Sequence, residues 1–157
     1  MELNRRDLLV SLAGVGAAGG LMAVARTGNA QTAGLGVLSK SKVFRFEGLP
    51  VKKMANGAES REVLLGALPT GETVGAHATL QPAGVTPNPA HVIHHSEILM
   101  VMEGTLEVTF GGTSQRLEPG GIFFVSYGTL HQVKNVGAGP VKYVVVAVGG
   151  DVKSPVS

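Results

Sequence analysis

The stretch that decides how this chain is read is Gly84-Val85-Thr86-Pro87-Asn88-Pro89-Ala90-His91-Val92-Ile93-His94-His95-Ser96-Glu97-Ile98-Leu99-Met100-Val101-Met102-Glu103-Gly104. A proline-containing loop runs into three histidines and a glutamate, then into a strongly apolar run that stops at a turn glycine. In an extended strand successive side chains alternate faces, so His91, Ile93, His95 and Glu97 would share one side. A second window, Gly128-Thr129-Leu130-His131, sits where a strand re-enters after a turn, and His77 lies in a third β-rich run, Gly75-Ala76-His77-Ala78-Thr79. Imidazole nitrogens and one carboxylate facing inward from adjacent strands are what a mononuclear Mn, Fe, Ni, Cu or Zn site requires. Other readings fit the same residues: satisfied core histidines, or a solvated His-rich loop. Glu97 resists them most, because an inward carboxylate needs a cation or several donors.

Outward from this stretch, short β-rich runs alternate with turn signals. The expected strands are Lys42–Phe46, Arg61–Ala67, Thr73–Gln81, His95–Met102, Thr105–Phe110, Gln115–Leu117, Ile122–Ser126, Thr129–Lys134 and Val141–Val148. Turns fall at Asn56-Gly57, Glu103-Gly104, Gly111-Gly112 and Pro119-Gly120-Gly121, among others. Several short strands at this spacing argue for an all-β sandwich or barrel. With only 4% aromatic residues and no Trp, aliphatic side chains must build its core. Ile98-Leu99-Met100-Val101-Met102 and Val144-Val145-Val146 are apolar at every position, so both faces of those strands should be covered, one by the barrel interior and one by a second sheet or a second subunit. A homodimer is the expectation.

The first thirty residues read as an address. Arg5 and Arg6 precede an apolar, charge-free run from Leu8 to Ala25, which ends at the small-x-small pattern Gly28-Asn29-Ala30. Asn4-Arg5-Arg6-Asp7-Leu8-Leu9 resembles the twin-arginine export motif. It departs from that motif in having Asn before the pair, Leu where Phe is common, and no following Lys. The expectation is a cleaved signal over 1–30, a periplasmic protein with no stable membrane anchor after cleavage, a flexible arm over 31–41, a barrel over 42–150 and a tail over 151–157.

Composition narrows the function. The 157-residue chain has a formal charge of +2 and no charge cluster beyond its first few positions, which argues against a nucleic-acid face. With no cysteine there is no disulfide, thiolate site or Cys nucleophile. Ser60, Ser96, Ser114 and Ser126 lack a nucleophile-elbow context, and no phosphate-cradling glycine loop with Lys occurs.

Gly84 to Gly104 resembles the first motif of the cupin family, in which His-x-His, a glutamate and a glycine recur at set intervals; Glu97 and Gly104 keep that spacing. Gly120, Gly128, His131 and Asn135 are similar to the second motif, with Ser126 in place of its proline. The resemblance implies a single-domain all-β cupin, a double-stranded β-helix or jelly-roll barrel. It also implies one divalent transition metal, held by both histidines of His-x-His, the glutamate and the second-motif histidine. His91, Glu97 and His131 match three of those positions; the fourth is Ile93, which cannot bind a metal. His95 or His77 could restore the set, giving His91, His95, Glu97 and His131 with His77 as a possible additional ligand. Two functions follow as expectations: a mononuclear metal-dependent enzyme of oxygenase, isomerase or lyase type acting on a small organic substrate, or a non-catalytic module holding a metal or small ligand.

Overall fold

The computed structural model describes residues 36–153. Within them the strands are β1 (Val51–Lys53), β2 (Glu59–Ala67), β3 (Thr73–Gln81), β4 (His91–Val92), β5 (Ser96–Glu103), β6 (Leu106–Phe110), β7 (Thr113–Leu117), β8 (Ile122–Val125), β9 (Leu130–Asn135) and β10 (Val141–Val148). They form two antiparallel sheets, ordered β1-β2-β3-β10-β5-β8 and β4-β9-β6-β7. The last strand, β10, enters the first sheet between β3 and β5, so neighbours in space are remote in sequence. This is the jelly-roll barrel expected from the sequence.

Alternation explains which residues fill it. In β10, Val141, Tyr143, Val145 and Ala147 point inward and are buried, while the residues between them are more exposed. Leu99 and Val101 of β5, Leu106 and Val108 of β6, and Phe123 and Val125 of β8 meet them in one core, with Ile93 among them. Leu106 and Val141 have no exposed surface at all. Gly111 and Gly112 take φ of +55° and +76°, the left-handed pair that a two-residue hairpin loop between β6 and β7 demands.

The outward residues of the same strands are apolar too. Ile98, Met100, Met102, Ile122 and Phe124 are each at least 40% exposed. Register sets Ile98 opposite Phe124 and Met100 opposite Ile122, so they form one patch across β5 and β8.

One expectation is corrected. Lys42–Phe46 is not a strand: the segment leads into a 3-10 turn at Phe46–Gly48. Its alternation has another use, because the Phe46 ring lies 3.9 Å from Lys142 Nζ and 4.4 Å from the Arg61 guanidinium carbon, a double cation–π contact. The strand there is instead β1, two of whose three residues are lysines. The arm over 31–41 is docked at its described end, where Ala67 N donates to Gly36 O (3.0 Å) and Leu38 N donates to Ala67 O (2.8 Å). Past β10, Val152 is also buried. The signal over 1–30 and the rest of the tail lie outside the described residues.

Candidate metal centre

Strands β4 and β9 are antiparallel neighbours, and their register sets His91 opposite His131. The two imidazole centroids are 4.7 Å apart with planes at 51°. His91 Nδ1 lies 3.2 Å from the Pro89 carbonyl oxygen, and His131 Nδ1 lies 3.2 Å from that of Thr129. A carbonyl oxygen can only accept, so each Nδ1 donates, and in the neutral ring that leaves the lone pair on Nε2. His131 is buried, and burial lowers its pKa against the opposing pull of the Thr129 carbonyl, which favours the neutral ring.

The chain then changes sheets. After Val92 it leaves the four-stranded sheet, and at Ser96 it enters the six-stranded one. His91, Ile93, His95 and Glu97 therefore do not lie on one continuous strand, as simple alternation had suggested. Ile93 turns into the core beside Leu99 and Phe123. His94 turns outward, its ring edge-on to Tyr127 at 5.7 Å. His95 turns inward with both ring nitrogens occupied: Nε2 is 2.9 Å from Glu97 Oε1, and Nδ1 is 3.0 Å from Asp151 Oδ1. Burial opposes a charge on this ring, but the hydrogen bonds to Asp151 and Glu97 outweigh it and raise the His95 pKa. The same hydrogen bond lowers the Asp151 pKa.

His77, on β3, faces inward opposite Val145 of β10, one inward row from the pair Ala147 and Glu97. Its pKa is lowered by burial, against the pull of the Glu97 and Glu62 carboxylates. It lines a cavity of about 300 Å³ shared with Ser60, Thr79, Gln81, Asn88 and Tyr143. A second cavity, of about 550 Å³, runs past His131, Phe110 and Leu130. Among the described residues, no three His, Asp or Glu side chains are already arranged around one point that could hold a metal ion. The donors stand instead as two pairs, His91 with His131 and His95 with Glu97, with His77 to one side.

Sequence reasoning missed Asp151, which it assigned to a tail. No motif marks it; a pair of glycines before an aspartate at a strand end is a common turn signal.

Residues 76–147 match the family model described as a cupin domain. Three solved structures are similar in fold. The cupin domain of Schizosaccharomyces pombe Cnp3 is 20% identical with a TM-score of 0.58, the match covering 69% of this chain and 74% of that one. An RmlC-like cupin from Shewanella frigidimarina is 19% identical with a TM-score of 0.56, covering 70% and 93%. A predicted oxalate decarboxylase from Thermotoga maritima is 16% identical with a TM-score of 0.59, covering 68% and 98%. No curated protein matches the chain in sequence. The two-sheet jelly roll, the family match over the central strands and these structural likenesses agree on one point: the described residues have the fold of a cupin domain.

Proposed function

We propose that this chain holds one divalent transition metal and acts in the periplasm as a mononuclear metal-dependent enzyme, of oxygenase, isomerase or lyase type, on a small uncharged organic substrate. The observation that carries the reading is the pair His91 and His131, whose Nδ1 atoms are committed to backbone carbonyls and whose rings lie 4.7 Å apart, centroid to centroid. That is the arrangement in which an imidazole binds a metal, its other nitrogen fixed by an outer hydrogen bond. Glu97 supplies the carboxylate. His95 has no lone pair to offer while it donates to two carboxylates, so we assign it to orienting Glu97. Two His and one carboxylate form a set suited to non-haem iron, and His77, one inward row from Glu97 on the same sheet, is the side chain that would extend it. Bound there, the metal supplies Lewis acidity or oxygen activation with positions left for substrate.

The protein's own groups argue for the substrate class. The cavity reaching His77 is lined mostly by hydroxyl and amide side chains, with Met54 and Ala58 and without Lys, Arg, Asp or Glu. Ser60 Oγ and Gln81 Oε1, both buried there, have no hydrogen-bond partner among the described residues. They suit a neutral molecule carrying its own donors and acceptors. The periplasmic setting rests on Arg5-Arg6 and the pattern ending at Ala30.

Elemental analysis of protein purified from the periplasm without a metal-binding tag tests the proposal. We expect a chain beginning at Gln31 with close to one Mn, Fe, Ni, Cu or Zn per molecule. No metal, even after reconstitution, would overturn it. Ile93 favours a second reading, a binding module without turnover, since a core aliphatic stands where the family places a ligand. Water relaxation with bound Mn²⁺ separates the two: an exchanging water on the metal supports the enzyme, and a closed shell supports the module.

We also propose a homodimer through the exposed patch on β5 and β8. Phe124 is 62% exposed, so Phe124→Lys should leave the fold intact. It should convert the dimer to monomer in sedimentation, because the new charge would be buried unpaired at the interface. A monomeric wild-type protein would refute this.

A further inference from the structure

Beyond the metal ligands, and resting on the reading that a metal is held there, we propose that Asp151 is a positioning residue. Acting through His95, it fixes the orientation of the Glu97 carboxylate and so the geometry in which the metal is held.

The segment after β10 is built to deliver this side chain. Gly149 and Gly150 adopt φ of +72° and +55°, and Gly149 N donates to Thr73 O at 2.7 Å. Gly150 lies so close to the break between β4 and β5 that a Cβ there would come 1.7 Å from His94 O, which no other residue could tolerate. Asp151 N donates to that same His94 oxygen at 3.1 Å. On the far side, Val152 is buried against Gly75. Asp151 is thus pinned before and after, against the residues that carry the site.

From this fixed point a rigid chain runs inward. Both carboxylates can only accept, so the His95 ring donates at each end, Nδ1–H to Asp151 Oδ1 and Nε2–H to Glu97 Oε1. A planar ring held at both nitrogens has no rotational freedom left to lose. Glu97 Oε1 is tied to it, which leaves Oε2 as the oxygen free to meet a cation. Outer partners of this kind commonly change metal affinity by roughly 10–100-fold.

A plain structural ion pair would tether the same segment without influencing the metal, so the test must separate the two roles. Purified wild type, Asp151→Ala and Val152→Ala are loaded with Co²⁺, and affinity is read by chelator competition alongside the visible spectrum of the bound ion. Val152→Ala loosens the same segment without touching the carboxylate. We expect Asp151→Ala to weaken Co²⁺ binding by roughly 10–100-fold and to shift the spectrum. Val152→Ala should lower the Tm and leave the spectrum as it was. Wild-type affinity and spectrum in Asp151→Ala, or the same change in both variants, would overturn the proposal. If the wild type takes no Co²⁺, the metal reading fails by itself, and a metal-free crystal structure of Asp151→Ala decides the rest. In that structure a broken His95–Glu97 hydrogen bond supports positioning, and an intact one refutes it.

Discussion

If the proposed metal site is right, His131→Ala is expected to empty it while leaving a folded barrel. His131 sits on β9 between β4 and β6, so its Cα position is set by two ladders rather than by a loop. Its ring is buried and its Nδ1 is held by Thr129, so Nε2 is presented in one direction. Nearby side chains offer no substitute: Leu130 is apolar, and the Thr129 and Ser126 hydroxyls bond to each other. The loss should exceed the roughly 100-fold typical of an outer partner, because a donor rather than its support is removed. Elemental analysis and chelator competition, with circular dichroism to confirm the fold, provide the check. A variant that keeps stoichiometric metal at wild-type affinity would remove His131 from the ligand set.

Leu106→Ala should cost about 3–4 kcal/mol of stability, within the range seen when fully buried leucines are truncated. Leu106 has no exposed surface, and β7 and β9 flank it by register opposite Leu117 and Asn135. Strands held on both sides cannot close in on the space left behind, so both the transfer and the cavity costs should be felt. Against a domain stability of about 5–15 kcal/mol, such a change is large. Denaturant titration should show a lower midpoint at an unchanged slope. A loss below about 1 kcal/mol would mean that the interior at Leu106 collapses or was never tightly packed.

How far the sequence could be read depended on what each segment does with its side chains. Thr73–Gln81 and Val141–Val148 were legible to the residue, because apolar runs bounded by glycine and proline are paired on both edges of each strand. The segment Lys42–Phe46 alternates like a strand, yet it spends that alternation on cation–π contacts instead of a ladder. Val51–Lys53 was illegible for the converse reason: an edge strand beside β2 tolerates two lysines. At the site, both histidine windows could be seen, and the register of β4 and β9 sets them face to face. The sheet change between Val92 and Ser96 could not be seen. Alternation holds only while one strand continues, and three residues that cross between sheets aim their side chains by turn geometry. Asp151 was invisible because its meaning comes from a carbonyl and an imidazole more than fifty positions earlier.

The place of β10 between β3 and β5 also dictates an order of events. The β6–β7 hairpin closes locally through Gly111-Gly112, but His77 and Glu97 share a sheet only after the strand that separates them has arrived, with most of the domain's length looped out. Such long-range pairing is slow, in the millisecond-to-second regime typical of barrels and sandwiches. The proposed cation site would therefore be completed late, after the rate-limiting step has been crossed. Added metal should leave the refolding rate unchanged and appear entirely as slower unfolding, the kinetic signature of an interaction absent from the transition state.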